Sequence, residues 1–380
     1  MSTQDAEVEQ HKTRLRVREV LERDVLPFAE QWEDQGYIDR GGWICLAEAG
    51  LFALPHAGPG FLDSAVFLEE LGRTGYAGIR AAIGVHAYMA PSYLMKFGSA
   101  RQQQIYLPAI RRAERIAALA LSEDGAGTDL GSVRTRAEPD ENGGYRLSGR
   151  KLHVANGSQA GLIITLARIG PPGSDAEQQR SLSRLALFAV DAQARGVTAT
   201  SEPMLGWRTA DVCTVDFNDV HLPNDAIIGK PGRTLIYLAQ ALEFERLVAG
   251  LLAVGGTAFC VSLLDEFARS HRTNGAALSA NQAVRHRVAE LSADLALVEQ
   301  YGRYAAQQHA LGRLNARVAS ILKLKATELA VTAAQACMQF HGARGYAADS
   351  AAARIYRDAA AGTIAAGPSE LMRELIFDSR

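Results

Sequence analysis

Ala118-Leu-Ala-Leu-Ser-Glu-Asp-Gly-Ala-Gly-Thr-Asp-Leu-Gly131 is the stretch at which the pattern of the chain changes. Upstream, from about residue 6 to 116, apolar residues recur at helical spacing. Leu15, Val17, Val20, Leu21, Val25, Leu26 and Phe28 give one apolar face, and Gly41-Gly42 and the glycine-proline stretch 56–60 break the run. Further helices are expected over 65–74, 79–96 and 99–115, with Ser99 as N-cap and Pro108 kinking or ending the last. Downstream, Leu119 and Leu121, then Val133, Thr135 and Ala137, then Tyr145 and Leu147 alternate at strand period, with a turn at 140–144. Segments 161–167, 185–191 and 213–217 read as further strands, and 170–180 as a mobile polar loop. From about Gly232 the helical pattern returns over 235–269, 282–311 and 315–340, lengths that suit a bundle. This order predicts an α+β chain: an N-terminal helical domain (1–117), a middle β-sandwich or barrel (118–228) and a C-terminal helical bundle (229–380).

Composition narrows the function. The 380 residues carry a formal net charge of −2, which gives no field to attract nucleic acid or an anionic membrane. Cys45, Cys213, Cys260 and Cys337 lie far apart with no CxxC pair, so neither a disulfide framework nor a zinc site is expected, and a reducing cytoplasm fits. The histidines form no HxH or HExxH, and no metal is expected. The acidic N-terminus does not read as a signal peptide, and no run of about 18 apolar residues is expected to span a membrane.

Two stretches carry candidate chemistry. In the opening stretch, a strand runs into a loop whose glycines are flanked by Ser122 and Thr128. Open N–H groups and hydroxyls there can bind a polar ring edge or a phosphate; the same residues can equally form a plain hairpin turn. The loop is not GxGxxG and opens no helix, which excludes a Rossmann nucleotide fold. The second stretch is Leu242–Gly256, where Glu243, Glu245 and Arg246 head an apolar run rich in small residues. Such charges can pair on a solvated turn, or an acid there can be desolvated and raised towards a useful base.

Ala120–Asp129 resembles the flavin-binding signature of the acyl-CoA dehydrogenase family, approximately A-x-T-E-P-x-A-G-S-D. Further blocks resemble it in order: Phe97–Pro108, Gly144–Gly157, Leu205–Asp211, Val215–Pro223, Gln339–Tyr346 and Arg354–Asp358. The resemblance implies an FAD-dependent enzyme that removes the α-proton of an acyl thioester with a carboxylate while the β-hydrogen leaves as hydride to flavin N5. It implies FAD extended between the middle sheet and the C-terminal domain, with help from a neighbouring subunit in a homodimer or homotetramer.

In most of that family the base sits near the C-terminus, where this chain has Ala366, which cannot take a proton. A minority, including isovaleryl- and long-chain-type enzymes, place it in L-E-R-L-V on an earlier helix. Phe244-Glu-Arg-Leu-Val248 matches, so Glu245 is the expected base. Ala366 keeps its backbone N–H as a donor to the thioester carbonyl. By the same matching, the cofactor positions are Leu119, Leu121, Ser122, Gly127, Thr128, His153, Ala155, His271, Arg272, Thr273, Gln282, Gln339, Gly342, Ala343 and Glu370. Glu370 is also a fallback base. Substrate positions are Thr128, Glu243, Arg246 and Gly367.

Several positions depart from the pattern. His153 replaces a flavin-stacking tryptophan, Ala155 a threonine, His271 an arginine and Asn274 a phenylalanine; Arg272 or Arg269 could supply the lost charge. The expected thioester is on CoA or on an acyl-carrier protein, with an electron-transfer flavoprotein or oxygen as acceptor. The departures leave open two other readings: a weakly active partner subunit of a heteromeric dehydrogenase, and an enzyme oxidising a hydroxyacyl or aminoacyl carrier-protein thioester.

Overall fold

The computed structural model describes residues 3–141, 143–170 and 181–379. The expected polar loop at 170–180 therefore lies, apart from Gly170, outside the described residues. Helices α1 (Thr3–Asp24), α2 (Ala29–Gln35), α3 (Arg40–Glu48), α4 (Phe61–Gly72), α5 (Ala77–Gly84), α6 (Ala90–Phe97) and α7 (Ala100–Arg111) come first. Strands β1 (Ile116–Ala120), β2 (Arg136–Pro139), β3 (Tyr145–Val154), β4 (Ala160–Ile169), β5 (Leu185–Asp191), β6 (Val197–Ser201), β7 (Cys213–Leu222) and β8 (Ile227–Ile228) follow. The rest is α8 (Thr234–Ser270), a small hairpin of β9 (Arg272–Thr273) and β10 (Ala276–Ala277), α9 (Gln282–Ala310), α10 (Ala316–His341), α11 (Ala343–Tyr346), α12 (Ala351–Ile364) and α13 (Ser369–Asp378).

The helix–strand–helix order and the three long helices agree with the sequence reading. Ser99 caps α7 in a reciprocal capping box with Gln102. Pro108 does not end that helix; it sits in the last turn, where its missing N–H removes a single ladder bond, the one to the carbonyl of Gln104. The strands join one eight-stranded sheet ordered β6-β7-β3-β2-β4-β5-β8, with β1 parallel to β4. Ile163, Ala167, Phe188 and Val190 pack with Leu147, Val215 and Phe217 from the other half of the same sheet, so the sheet covers its own inner face. Leu162, Ile164, Leu166, Leu185 and Leu187 alternate onto the other face, against α6 and α8.

Two strand limits differ from expectation, for the same reason. Leu121 lies beyond β1, and its carbonyl accepts from Lys151 Nζ at 3.0 Å. Val133 and Thr135 precede β2 because side chains take over their ladder bonds. The Arg134 and Thr135 N–H groups donate to the Glu123 carboxylate at 2.6 and 3.0 Å, and the Val133 carbonyl accepts from Arg168 Nε at 2.7 Å. Buried Lys151 closes the network on Glu123 at 2.7 Å.

α8 organises the helical half. It does contain an 18-residue window apolar enough to cross a membrane, contrary to the sequence expectation, but 72% of that window is buried inside the protein. Its glycines explain how a core helix reaches that composition. A methyl group at Gly255 would land on the Glu69 carbonyl of α4, and one at Gly72 would meet the Leu252 carbonyl of α8. The two helices thus touch backbone to backbone.

We expect Gly255→Ala to lower the unfolding free energy by about 1–3 kcal/mol through overpacking. Gly302→Ala, on α9, meets nothing nearer than 3.5 Å and is expected to leave stability unchanged or slightly raised. Urea melts of the two variants test the contrast.

Candidate active site

The base candidate comes from the α8 stretch. Phe244 packs on Phe61 at 5.8 Å and on His309 at 4.9 Å between ring centroids, which fixes the rotation of the helix. The next residue, Glu245, then points inward and is only 4% exposed. Its Oε1 accepts from the Tyr93 hydroxyl of α6 at 2.7 Å. Burial pushes the carboxyl up to about 7; the Tyr93 hydrogen bond and the Arg246 charge pull the other way and offset only part of it.

Arg246 is also buried, with no ion pair among the described residues and its Nε without a partner. Burial lowers its pKa. Glu243 is half-buried and raised by desolvation, with the Arg246 and Lys96 charges acting against that shift. The C-terminal loop closes the other side. A methyl group at Gly367 would come within 3.9 Å of Arg246 Nε, and the Gly367 carbonyl accepts from buried Lys323 Nζ at 2.5 Å. Ala366 adopts φ +54°, a left-handed conformation, and its N–H meets no carbonyl among the described residues. Arg246, which follows Glu245, and Gly367, which follows Ala366, thus come together. Glu370 is exposed on α13, 3.9 Å from Arg373.

The loop of the opening stretch lies against the same region. Leu121 and Leu130 share an apolar cluster with Tyr93 and Leu242, as does Leu119. The Leu152 N–H donates to the Ser122 carbonyl at 3.0 Å and ties the loop to the end of β3, where His153 and Ala155 sit. Gly127 and Thr128 are exposed, with open space where a Gly127 side chain would be. The Ser122 and Thr128 hydroxyls have no partner among the described residues. Free donors beside an open backbone fit a flavin edge. His153 is less free: its ring Nδ1 and its N–H are both held by Glu202, at 2.7 and 3.1 Å.

The remaining cofactor positions are elsewhere. His271 stacks on Phe267, which stacks on His341, with centroids 4.7 and 3.9 Å apart. Arg272, Thr273, Gln282, Gln339, Gly342 and Ala343 lie exposed around them. At 1.5 Å per residue, His271 is roughly 40 Å along α8 from Glu245. One chain does not bring the two sets together. Arg269 pairs with Asp265, leaving Arg272 as the freer cation.

The three family profiles named acyl-CoA dehydrogenase N-terminal, middle and C-terminal domain match residues 7–114, 118–220 and 235–379. The chain belongs to the acyl-CoA dehydrogenase family. It is 30% identical over 367 residues to the long-chain specific mitochondrial enzyme of Rattus norvegicus, covering 95% of this chain and 84% of that one. The acyl-CoA dehydrogenase of Geobacillus kaustophilus superposes with a TM-score of 0.90 at 29% identity, over 98% and 97% of the chains. The prolyl acyl-carrier-protein oxidase AnaB is similar at 0.88 and 25%, over 100% and 99%. The protein is accordingly an FAD-dependent oxidoreductase of acyl thioesters, acting on a CH–CH bond.

Tyr93, Lys323, Glu123 and Lys151 escaped the sequence reading as site residues. Lys323 left a signal, a cation between Leu322 and Leu324 on an apolar helix face; Tyr93 left none, because a tyrosine in an apolar helix reads as core.

The raised Glu245 pKa has a stability consequence. Its folded value of about 7 exceeds the ordinary 4.5, so the stabilisation from protonation is complete below 4.5 and is lost as pH rises through 7. Glu245→Gln removes that loss. We expect it to be more stable than the parent at pH 8, on the order of 2–3 kcal/mol, with the gap closing towards pH 4.5. Urea melts across that range check it.

Proposed function

We propose that Glu245 removes the α-proton of an acyl thioester and so commits it to α,β-dehydrogenation. The observation that carries this reading is the buried Glu245 carboxyl, pushed up to about 7, whose neighbour Arg246 lies against Gly367 of the C-terminal loop. A base near neutrality combines sufficient basicity with a useful deprotonated fraction. The α-proton becomes acidic only if charge on the thioester oxygen is stabilised, and the open Ala366 N–H is the donor we assign to it. We assign Arg246, Glu243, Thr128 and Gly367 to the substrate's approach, a reading supported by the closeness of Gly367 to Arg246. Enclosure among α6, α8 and the 366–367 loop keeps water from the developing enolate.

Leu119, Leu121, Ser122, Gly127, Thr128, His153 and Ala155 would hold the flavin end of FAD, which when bound supplies the acceptor for the β-hydrogen. We assign His271, Arg272, Thr273, Gln282, Gln339, Gly342 and Ala343 to the FAD of a second copy, because His271 caps the end of α8 remote from Glu245 and the end of α10 packs there through His341 on Phe267. The working unit is then at least a homodimer, as a dimer or tetramer. The thioester is carried by CoA or by an acyl-carrier protein, and reoxidation falls to an electron-transfer flavoprotein or oxygen. All four cysteines are free thiols, which fits a reducing compartment such as the cytoplasm.

The test is anaerobic bleaching of the flavin absorbance by acyl thioesters, presented on CoA and on a carrier protein. Glu245→Gln is expected to keep FAD and lose bleaching by at least a hundredfold, the lower bound for general-base catalysis of about 10²–10⁴. Near-normal bleaching in that variant would refute the assignment. In the parent, kcat/KM should fall about tenfold per pH unit below about 7.

A further inference from the structure

We infer that Tyr93 is a positioning residue for the proposed base: its phenol O–H holds Oε1 of Glu245 and leaves Oε2 as the oxygen that takes the proton. This rests on the reading of Glu245 as base. The Tyr93 hydroxyl lies 2.7 Å from Oε1, and the Tyr93 residue is 0% exposed. Oε2 accepts no hydrogen bond among the described residues, yet is not among the fully enclosed unpartnered atoms. The two oxygens are therefore unequal. One is occupied and the other is open.

Tyr93 is held by its own helix in a particular way. Pro91 has no N–H, so the Ala87 carbonyl one turn back lacks its helical partner. His56 Nε2 donates to that carbonyl at 2.6 Å instead, and a π-helical turn, Val85–Met89, joins α5 to α6. Inserted π turns recur at functional sites because they re-aim the side chains that follow. The Ser92 hydroxyl binds the Met89 carbonyl at 2.7 Å and further fixes the start of α6.

A neutral donor suits this task better than a cation. A lysine or arginine in contact would favour the carboxylate so strongly that little basicity remained. A phenol steadies the anion by a hydrogen bond alone, and Tyr93 stays protonated because burial and the adjacent acid raise its own pKa. The other titratable groups around this end of α8 are Lys96 on α6, Lys323 on α10, His56, His309 on α9, and Glu243 and Arg246 on α8. Of these only Arg246, besides Tyr93, acts on the Glu245 carboxyl, and it makes no ion pair with it.

Tyr93→Phe removes the donor and keeps the ring. A lost hydrogen bond to a charged group corresponds to about one pH unit. We expect the acid limb of kcat/KM to move up by about that much, with the rate on the limb falling about tenfold and recovering at high pH. Difference infrared spectroscopy of the FAD-loaded, substrate-free enzyme gives a readout independent of turnover. The titrating carboxyl band that Glu245→Gln abolishes should shift its midpoint upward in Tyr93→Phe. Ring-fluorinated tyrosine at position 93, a stronger donor of nearly the same shape, should shift it downward. Tyr88→Phe, at a nearby buried hydroxyl with no partner, should leave it in place. A midpoint unmoved by both changes at position 93, or a rate reduced equally at every pH, overturns the inference. Retained activity in Glu245→Gln would instead sink the base assignment, which separates the two failures.

Discussion

One carboxylate held out of water constrains this half of the molecule. Taking the Glu245 charge from solvent is unfavourable by several kcal/mol unless the surroundings compensate or the group protonates. Compensation is partial: a phenol at 2.7 Å and an arginine nearby that forms no ion pair. The acid is left near neutrality, where it can cycle between both forms. Holding it there requires α8 and α6 to stay in register, since a rotation of either helix would carry the hydroxyl out of reach. The glycine seam between α4 and α8 and the rings of Phe61, Phe244 and His309 supply that rigidity.

The opening loop is held by a different device. Glu123 and Arg168 take up backbone groups that would otherwise have extended strands, and Lys151 neutralises Glu123 in the interior. The loop from Ser122 to Thr128 is therefore anchored through Ser122 and through the mutual bridge of Glu123 and Ala126, while Gly127 and Thr128 stay exposed. This combination suits a face that must receive a large, flat ligand without collapsing when it leaves. The network has consequences for the flavin-stacking position too. His153 sits at the end of the strand that carries Lys151, and Glu202 has claimed its ring and its N–H together. A histidine so held is a poor substitute for a tryptophan face, so in the proposed site more of the flavin's fixation would fall on the loop.

Legibility in the sequence followed chain distance. The order of helices and strands, the ends of α8, α9 and α10, and the match at Phe244–Val248 are contiguous signals, and periodicity exposes them. Tyr93 and Glu245 are 152 residues apart, and neither announces the other. Lys323 and Gly367 are 44 apart. Strand limits at Leu121 and Thr135 were misread because alternation continues there while the hydrogen bonds have passed to side chains. The membrane-length window in α8 was missed because alanine and glycine look unremarkable singly; collectively they make a helix apolar and thin enough to pack backbone to backbone.

If, as we propose, the base stands on α8 and not on the C-terminal loop, what sets its pKa changes with it. A carboxylate at position 366 would sit on a loop with left-handed backbone at Ala366 and Gly367, held by one lysine at a carbonyl. Its environment would depend on how that loop closes. A carboxylate at 245 sits inside a 37-residue helix whose packing is complete before any ligand arrives. Its desolvation is built in, and its orientation is fixed by a bond to a second helix. In the role proposed for it, the loop does what backbone alone can do and offers the Ala366 N–H, which has no backbone partner, as a donor. Catalytic groups on regular elements hold their geometry better than those on loops. The alanine at 366 is on this argument a division of labour: the helix carries the acid, and the loop carries the donor.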